Sequence, residues 1–390
     1  MRLSQITEGI NLQGIYNYFN ADIADIIIDS RSVKQGSLYV AIKGGKYDGY
    51  DYIGQAVENG AAAIISEAYC DCGNVPLLVV SDARKALAIA CGNYFDNPAA
   101  KMKMVCVVGT NGKSTTSYLI SQICRGNGIR CGLIGTMYYD DGEQCYPATL
   151  TTPDPWQLNK LLAEMYLKGC TVVAMEVSAH AIYLKKTDNI IFDIGVFTNI
   201  SQDHLDFFKD METYAAVKTG FFKEGQARYA VINSDDKYGV ELSNILECDK
   251  ITYGLSNPAD IFALDWSGGK SKYIVNDNDD IFEVRSKLYG KFNVSNTLAA
   301  IAVADRLGID RRGIVRALEK TEPPQGRFNV TEHSGVKYVI DFAHTPEGLR
   351  NLLEACLDIG SAVTVVFGCG GDRDKSKRPI MGAIAAECAS

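Results

Sequence analysis

The sequence predicts an α/β protein whose central part is a doubly wound sheet of parallel strands. Short apolar runs alternate with helical stretches along most of the chain, which is typical of strand–helix–strand units. The run at residues 104–108 is apolar throughout, as expected of a strand that is buried on both faces of a sheet. A glycine-rich segment, Gly109–Thr115, follows this run and precedes a predicted helix, which is the context of a phosphate-binding loop.

Two breaks divide the chain into three predicted domains. Asp96-Asn97-Pro98 marks the first break, because proline disfavours helix in the residue before it, and Thr321–Pro324 marks the second. We therefore predict domains at residues 1–97, 98–328 and 329–390, in line with roughly 150 residues per domain. The third segment is shorter than most independent domains, so we expect it to be incomplete at its carboxyl end.

The remaining elements follow from apolar periodicity and from glycine and proline punctuation. In the first domain we predict strands at 38–42 and 77–80 and a helix at 51–59. In the central domain we predict strands at 171–177, 193–199 and 229–233, a hairpin around Gly268-Gly269 within 261–284, and helices at 293–307 and 311–320. In the third domain we predict strands at 338–342 and 362–367 on either side of a helix at 347–357.

The composition is that of an ordinary globular protein. Of the 390 residues, 22% are charged and 47% are hydrophobic, which argues against a disordered or low-complexity chain. The net charge of -8 disfavours an extended nucleic-acid interface, which normally needs a basic excess. The chain lacks both an apolar run of the ~18 residues that a membrane helix requires and the apolar core of a signal peptide. We expect a cytoplasmic protein without a membrane span.

The twelve cysteines follow no regular spacing and include no C-x-x-C pair. Cys70 and Cys72 form the only close pair, and neither a second pair nor a nearby histidine completes a zinc site. Several others lie within apolar runs, where a free cysteine behaves as a small buried hydrophobic residue. We therefore predict reduced thiols and neither a disulfide framework nor a structural metal site.

The segment Gly109–Thr115 predicts a site for ATP and Mg²⁺. Its backbone amides and the following helix start can face phosphate, while Lys113 reaches the β- and γ-phosphates and the Ser114 hydroxyl binds Mg²⁺. The usual first glycine of this pattern is Val107 here, so the pattern is matched only in part. A glycine-rich turn without a ligand is the alternative.

Two polar clusters follow successive strands of the predicted sheet. Glu176 follows the apolar run at 172–175, and Asn199, Asp203 and His204 follow the run at 194–198. Ligands of open α/β sheets bind beyond the carboxyl ends of strands, so both clusters can face the nucleotide. Taken alone, Glu176 fits a solvated or capping residue and His204 fits a polar loop residue. Together with the phosphate loop, the clusters favour a Mg²⁺–nucleotide site.

From about Asp29 to the last residue, the motifs of the chain resemble those of the Mur ligase family of cell-wall synthesis. The likeness is strongest to its MurE branch, the UDP-N-acetylmuramoyl-tripeptide synthetases. The matching motifs occur in the same order along the chain: Asp29–Val33, Gly36, Lys43-Gly44, Asp48-Gly49, Thr151–Pro153, Met175–His180, Phe197–Asn199, Asp203–Asp206, Tyr214, Lys218, Asn293, Asn296, Gly326–Phe328, Asp341–Pro346 and Gly370–Asp374.

This resemblance implies a small α/β UDP-sugar domain, a central P-loop ATPase-like domain and an incomplete Rossmann-like domain for an amino acid. It implies an ATP-dependent amide ligase that adds the third residue, a diamino acid, to UDP-N-acetylmuramoyl-L-Ala-D-Glu. The implied route is an acyl phosphate, and the implied process is peptidoglycan precursor synthesis, and with it cell shape and cell division. The implied partners are the UDP-dipeptide and free diaminopimelate or lysine, and the implied state is a monomer.

The resemblance also assigns roles to the residues near the phosphates. It assigns Lys113 and Arg327 to neutralising the transferred phosphoryl group. It assigns Ser114 and Glu176 to one Mg²⁺ and His204 to a second.

Lys218 corresponds to a lysine that is carbamylated in the family, which turns an ammonium group into a carboxylate-like metal ligand. The residue pattern alone favours a solvated lysine on an amphipathic helix.

Four further residues are assigned to the nucleotide. Asn293 and Asn296 lie three apart on one helix face and are assigned to the adenine, although helix capping is the alternative for Asn293. Asp341 and His344 are assigned to the surroundings of the phosphates, with His344 as a proton acceptor. The alternative for Asp341 is a residue that ends a strand.

On the substrate side, the resemblance assigns hydroxyl donors to the UDP-sugar peptide: Ser30, Thr151, Thr152 and Ser178. Two positions depart from the branch, with Ala179 in place of a serine and Lys186 in place of an arginine. Lys186 can still pair with a carboxylate, but as a point charge. Arg373 is assigned to the carboxylate of the added amino acid. The Asp-Asn-Pro-Arg-type motif that selects this amino acid does not occur in the 390 residues, so lysine and diaminopimelate both remain open.

Two other functions remain open. A chain with ATP and UDP-substrate sites but without catalysis is one of them. A ligase similar to folylpolyglutamate synthase is the other, although Thr151-Thr152-Pro153 and the amino-terminal segment weigh against it.

Overall fold

The computed structural model describes residues 1–266, 272–360, 362–371 and 374–389. Two compact units make up the chain. The first contains residues 1–102, 152–167 and 180–190, and the second contains residues 103–151, 168–179 and 191–390. Two short segments from within the predicted central domain thus pack with the first unit. The division into three domains stays a prediction.

The described residues form thirteen α-helices: α1 (Leu3–Ile6), α2 (Ile53–Glu58), α3 (Ala83–Tyr94), α4 (Lys113–Gly126), α5 (Pro155–Leu167), α6 (Ala179–Tyr183), α7 (Leu205–Phe208), α8 (Met211–Lys223), α9 (Lys237–Ile245), α10 (Lys291–Arg306), α11 (Arg311–Lys320), α12 (Pro346–Ile359) and α13 (Lys377–Cys388). Short 3-10 turns lie at Ser30–Ser32, Gly49–Tyr52 and Pro98–Lys101. In this described part of the chain, no helix is long and apolar enough to cross a membrane.

The same residues form eighteen strands: β1 (Leu12–Tyr16), β2 (Asp25–Ile27), β3 (Ser37–Val40), β4 (Ala63–Ser66), β5 (Leu77–Val80), β6 (Lys103–Val108), β7 (Cys131–Ile134), β8 (Tyr138–Asp140), β9 (Cys145–Pro147), β10 (Val172–Val177), β11 (Phe192–Phe197), β12 (Ala227–Asn233), β13 (Asp249–Gly254), β14 (Ile261–Leu264), β15 (Lys272–Asp277), β16 (Asp280–Arg285), β17 (Asn329–His333) and β18 (Val336–Ile340).

The first unit is built on a five-stranded sheet of order β1-β5-β4-β3-β2, with only β1 antiparallel to its neighbour. Successive side chains of a strand point to opposite faces, so each face has its own core. Leu38 and Val40 belong to the core that includes α3, whereas Tyr39 belongs to the core that includes α2. This sheet confirms the small α/β arrangement predicted for the amino-terminal part.

The second unit is built on an eleven-stranded sheet of order β16-β15-β14-β13-β12-β11-β6-β10-β7-β8-β9. The seven strands from β14 to β7 in this order are parallel, and antiparallel strands extend the sheet at both margins. The strand β6 is completely buried apart from its first residue and lies between β10 and β11. The loop after β6 is therefore at the centre of the sheet's carboxyl edge.

Helices cover both faces of this sheet. Val105 and Val107 of β6 share one core with buried residues of α4 and α10. On the other face, the ring of Phe222 from α8 packs against that of Phe197 from β11, with the ring centres 6.0 Å apart. A Cβ added to Gly195 of the same strand would lie 2.9 Å from the Phe222 ring, so the helix lies close to the sheet. The prediction of a doubly wound central sheet is confirmed.

One predicted strand is wrong. Residues 362–370 contain no strand in the described part of the chain, although their apolar pattern predicts one at 362–367. A strand needs a hydrogen-bonded neighbour, and the pattern alone does not report whether one is present. Val366 is 96% exposed, in keeping with a segment that is not covered.

The other predicted elements are present within a few residues of their expected ends. The strands on either side of the predicted hairpin turn, β14 and β15, pair antiparallel, and β16 extends this ladder, while Gly268-Gly269 itself lies outside the described residues. All twelve cysteines are free thiols and six of them are buried, as predicted.

Candidate active site

The phosphate loop joins β6 to α4 at the place that the sequence predicts. Its two glycines have positive φ angles, 154° at Gly109 and 85° at Gly112, which favour glycine. Neighbouring side chains also exclude a larger residue, because a Cβ on Gly109 would lie 1.9 Å from Thr198 Oγ1 and one on Gly112 would lie 2.4 Å from Asn296 Oδ1. Both positions require glycine, so the loop backbone runs close to its surroundings.

Residues after β11 hold this loop in shape. The amides of Thr110 and Asn111 donate to the carbonyl oxygen and the side-chain oxygen of Asn199, at 2.8 and 3.0 Å. The Thr198 hydroxyl donates to the Asn111 carbonyl at 2.7 Å. The polar cluster that the sequence places after β11 therefore positions the loop.

Two of the predicted phosphate-binding cations lie beside the loop. Lys113 Nζ donates to the carbonyl oxygens of Gly109 and Thr110 at 3.0 and 2.8 Å. Arg327 donates to Ser114 Oγ at 2.9 Å, and its guanidinium carbon lies 4.6 Å from the centre of the Phe342 ring. Burial lowers the pKa of both side chains, although the charge of Glu176 opposes the shift.

Lys218 is the third cation of the site, and it is only 1% exposed. Its Nζ lies 3.4 Å from Thr110 Oγ1 and 4.4 Å from the centre of the Tyr214 ring. Burial and the nearby charge of Lys113 lower the pKa of Lys218 well below its ordinary value. The alternative of a solvated lysine is wrong, because α8 packs this face against the loop.

A cavity of about 820 Å³ opens over the loop, and all three cations line it. Within the described residues, no carboxylate oxygen lies within 4.0 Å of the Lys113, Lys218 or Arg327 charge. Buried charges are costly unless they are compensated. A polyanion bound in the cavity would supply the missing negative charge.

Glu176, at the carboxyl end of β10, is 1% exposed, so the alternative of a solvated glutamate is wrong. Its carboxylate accepts hydrogen bonds from the amide and the hydroxyl of Thr136, at 2.7 and 3.1 Å.

The oxygen donors on the cavity wall fit Mg²⁺. The Ser114 hydroxyl and the Glu176 carboxylate both line the cavity. Among the described residues, no group of three or more His, Cys, Asp or Glu side chains forms a metal cage. Mg²⁺ usually takes one or two protein oxygens together with water and phosphate, so this sparse set suits it.

His204 and His344 meet at one buried carboxylate, Asp203. The Nε2 atoms of His204 and His344 lie 3.2 and 3.4 Å from Asp203 Oδ2, and Lys377 Nζ lies 3.3 Å from Oδ1. Burial would raise the pKa of Asp203, but the hydrogen bond from His344 and the neighbouring positive charges hold it well below its ordinary value. The two histidines are thus brought together at the cavity wall, and the roles that the resemblance assigns to them stay predictions.

Asp341 and the two asparagines make hydrogen bonds within the local structure, and Asp341 and Asn296 also line the cavity. Asp341 directly follows β18 and accepts from the amides of Phe328 and Ala343 at 2.8 and 2.7 Å. Asn296 lines the cavity and accepts from Thr116 Oγ1 at 3.3 Å. Asn293 is buried in α10 and donates to the Tyr289 carbonyl at 2.7 Å. Gly290 is the cap of this helix, so the capping alternative for Asn293 is wrong.

The predicted substrate residues are divided between the two units. In the second unit, Thr151 and Ser178 line the cavity, and Thr151 Oγ1 lies 3.0 Å from Thr136 Oγ1.

In the first unit, Ser30 donates to Gln55 at 2.7 Å, and Lys186 pairs with Asp154 at 2.8 Å and faces the Thr152 carbonyl at 3.4 Å. Arg373 lies outside the described residues.

Reasoning from the sequence assigned no individual role to three residues of the site: Thr136, Asp203 and Lys377. Asp203 was noticed only as part of a polar cluster, and its charge partners come from distant segments. Thr136 and Lys377 carry no local sequence signal that separates them from ordinary polar residues. Long-range packing, which spacing does not report, brings them to the cavity.

Three family models match the chain in sequence. The Mur ligase family catalytic domain matches residues 22–102, the Mur ligase middle domain matches residues 107–304, and the Mur ligase glutamate ligase domain matches residues 326–390.

Similar proteins include two enzymes named UDP-N-acetylmuramoyl-L-alanyl-D-glutamate--2,6-diaminopimelate ligase. The one from Caldanaerobacter subterraneus subsp. tengcongensis is 40% identical over 396 residues, covering 100% of this chain and 81% of that protein. The one from Bacillus velezensis is 36% identical over 401 residues, covering 100% of this chain and 82% of that protein.

Solved structures agree with this similarity. A structure of a UDP-N-acetylmuramoyl-L-alanyl-D-glutamate--2,6-diaminopimelate ligase superposes with a TM-score of 0.78 at 28% identity, covering 100% of this chain and 81% of that one. MurF from Acinetobacter baumannii superposes with a TM-score of 0.70 at 21% identity, covering 99% of this chain and 82% of that one, and shows the shared fold. On its sequence and its fold, the chain belongs to the Mur ligase family.

Proposed function

We propose that the protein is an ATP-dependent ligase of peptidoglycan precursor synthesis that adds 2,6-diaminopimelate to UDP-N-acetylmuramoyl-L-Ala-D-Glu. The names of the similar proteins support both the dipeptide and the amino acid. The observation that carries the proposal is the cavity over the phosphate loop, where Lys218 is buried and Lys113 and Arg327 are half-buried, and where no carboxylate of the described residues forms an ion pair with any of the three. Such a site is built to receive a polyanion, and the triphosphate of ATP is the polyanion that a phosphate loop binds.

The reaction has two steps. A carboxylate oxygen of the dipeptide attacks the γ-phosphorus of ATP, so that a P–O bond forms to the substrate while the bond to ADP breaks. The amine of the amino acid then attacks the acyl carbon, an amide bond forms, and inorganic phosphate leaves. The amine loses one proton in this second step.

The residues of the cavity suit the first step. Phosphoryl transfer depends mainly on positioning and on neutralising charge. Lys113 and Arg327 supply positive charge beside the loop, whose residues Gly109–Thr115 line the same cavity. Ser114 and Glu176 would hold a Mg²⁺ ion, which adds further neutralising charge to the phosphates when it is bound.

His344 suits the second step. Its ring lines the cavity, with Nε2 3.4 Å from Asp203 Oδ2, and a neutral imidazole can serve as a general base. We assign to His344 the removal of the proton that the attacking amine loses.

Lys218 suits carbamylation. Carbamate formation joins a neutral amine to CO₂ and releases a proton, and burial lowers the pKa of Lys218, which favours the neutral amine. The product carries a negative charge beside the ammonium of Lys113, and it supplies oxygen ligands in place of a repelling cation. We assign a second metal to carbamylated Lys218 and His204.

The substrate residues stay assigned as the family resemblance implies. Thr151 and Ser178 lie on the cavity wall, whereas Ser30, Thr152 and Lys186 lie in the first unit. A cytoplasmic location and a monomeric state also stay predictions.

Phosphate release tests the proposal. The product of the complete gene is incubated with ATP, Mg²⁺ and the UDP-dipeptide, with diaminopimelate, with lysine or without an amino acid. We expect phosphate release and a UDP-tripeptide with diaminopimelate, and much less with lysine. Efficient release with lysine alone would overturn the assigned amino acid. Nucleotide binding without release under every condition would overturn catalysis and favour a binding role.

A further inference from the structure

Asp203 is the meeting point of three segments of the second unit. It is only 5% exposed, and its two oxygens face Lys377 Nζ at 3.3 Å, His204 Nε2 at 3.2 Å and His344 Nε2 at 3.4 Å. Its Oδ1 also accepts from the amide of His204 at 3.0 Å. One carboxylate thus fixes two imidazoles that come from loops 140 residues apart in the sequence.

Lys377 is the least expected of these partners. It is the first residue of α13 and is only 3% exposed. Side-chain bonds tie the same helix start to the residue before Asp203, because Gln202 Nε2 donates to Asp374 Oδ2 at 2.9 Å and to Ser376 Oγ at 2.8 Å. The start of α13 is therefore attached to the segment 202–204 through two adjacent side chains.

Taking the charges of Asp203 and Lys377 out of water carries a desolvation cost that offsets their attraction, so a buried pair is weak evidence for a role in stability. Buried pairs that are retained can instead specify one arrangement of their neighbours. The neighbours here are His204 and His344, which line the cavity with Lys113 and Arg327. The pair is thus placed to act on the site through the two imidazoles.

We propose that Asp203 is a positioning residue of the phosphate cavity, which fixes His204 and His344 at the cavity wall, and that Lys377 holds its carboxylate in place. Asp203 acts through the imidazoles and not on the substrate itself. The inference rests on the proposed ATP-dependent ligase. It adds α13, from the end of the described chain, to the machinery of a site built on β6, β10 and β11.

The test compares Asp203→Asn, Lys377→Met and the double variant in the complete gene product. Melting temperature, affinity for a non-hydrolysable ATP analogue with Mg²⁺, kcat and the KM for the UDP-dipeptide are measured for each. The single variants leave one buried group without its partner, so we expect lower melting temperatures for both. The double variant removes both charges, so we expect it to regain most of the melting temperature.

In the double variant, kcat and nucleotide affinity should stay low although the melting temperature recovers. Losing a group that orients ligating side chains typically costs 10–100-fold, so we expect losses of about 10–100-fold in kcat and in Mg²⁺-dependent nucleotide affinity for Asp203→Asn and for the double variant. The KM for the UDP-dipeptide should stay within about twofold. Lys377→Arg keeps the positive charge, and we expect it to retain most of the activity.

The matched control is the ion pair of Arg125 with Asp140, whose atoms are 2.8 Å apart and whose carboxylate side chain is only 6% exposed. We expect Asp140→Asn to lower the melting temperature without changing kcat. The proposal is overturned if the double variant regains kcat together with its melting temperature, or if Asp140→Asn loses as much activity. An inactive wild-type protein whose nucleotide affinity still falls in Asp203→Asn would instead overturn the ligase function and keep the positioning role.

Discussion

At the carboxyl ends of β6, β10 and β11, Lys218 is buried and Lys113 and Arg327 are half-buried, and these three cations donate to carbonyl and hydroxyl oxygens. At the β15–β16 margin of the same sheet, the cations pair with carboxylates: Lys272 with Glu283 at 2.6 Å, and Arg311 with Asp277 at 2.5 Å. The margin holds charges that pair with one another, whereas Lys113, Lys218 and Arg327 of the cavity have no carboxylate oxygen of the described residues within 4.0 Å. Charged groups with perturbed pKa values and without paired counter-charges are typical of functional sites. The difference therefore separates the region of the sheet that binds a ligand from the region that stabilises the fold.

The largest expected effect concerns Lys113. Lys113→Met removes a preorganised positive charge beside the phosphates, and we expect kcat to fall by about 10²–10³-fold. The melting temperature should not fall, because the substitution removes a half-buried amine that carries a desolvation cost. Lys272→Met, at the margin, is the control and should keep full activity. Phosphate-release kinetics and thermal melts check both variants. An active Lys113→Met protein would contradict the functional difference between the cavity and the margin.

The second effect concerns Arg311, which belongs to the margin. Arg311→Met leaves Asp277, 4% exposed, without its guanidinium partner. We expect a loss of about 1–3 kcal/mol in the free energy of unfolding and unchanged kcat. Denaturant titration and the ligase assay measure the two quantities. A loss of activity without a loss of stability would contradict the assignment of this margin to support.

The third effect concerns Lys218, where stability and activity should move in opposite directions. In buffer free of bicarbonate and Mg²⁺, we expect Lys218→Met to raise the melting temperature, by about 2–4 °C for each kcal/mol of desolvation removed. The folded-state pKa of Lys218 is lowered, so the loss of folding stability that its burial causes is complete at low pH. This loss disappears as the pH rises to the ordinary lysine value near 10.4. The gain should therefore shrink between neutral pH and about pH 10, and thermal melts across this range check it.

The ligase assay provides the other half of the Lys218 test. We expect the variant to be inactive, and we expect wild-type activity to fall in CO₂-depleted buffer and to return with bicarbonate. A variant that keeps activity, or a wild type indifferent to bicarbonate, would refute carbamylation.

The smallest effect concerns Glu283, an exposed carboxylate of the margin. Hydrogen bonds from Lys272 and Arg285 hold the pKa of Glu283 below its ordinary value. Its stabilising effect is therefore present above the unfolded value of about 4.3 and is lost as the pH falls through the folded value. We expect Glu283→Gln to lower the melting temperature by no more than about 2 °C at pH 7, and less in high salt or near pH 3. A larger change in melting temperature that persists at pH 3 would show that Glu283 stabilises the fold by more than its ion pairs.

The phosphate loop could be predicted from the sequence because its signals are local. An apolar strand, two glycines, Lys113 and Ser114 lie within a dozen residues, and the backbone needs no distant information to present them. The alternation of apolar runs with helical stretches, which predicted the central sheet, is also a local signal. The strand predicted at 362–367 is wrong because pairing depends on a neighbour that the alternation does not report.

Burial and long-range contact could not be predicted in the same way. The residue pattern of α8 favoured a solvated Lys218, yet the helix packs this side chain against the loop. Asp203 and Lys377 are 174 positions apart, and neither residue type predicts the other. The family resemblance supplied roles for Lys218 and His204, but it did not name the carboxylate that joins His204 to His344.

Transfer of labelled oxygen tests the central claim most directly. The terminal carboxylate of the UDP-dipeptide is labelled with ¹⁸O, and the phosphate released in the presence of ATP and diaminopimelate is analysed by mass spectrometry. If a carboxylate oxygen attacks the γ-phosphorus, one labelled oxygen leaves with each phosphate, and Lys113→Met loses both the release and the label. Released phosphate without ¹⁸O would contradict an acyl phosphate, and with it the role assigned to the cations of the cavity.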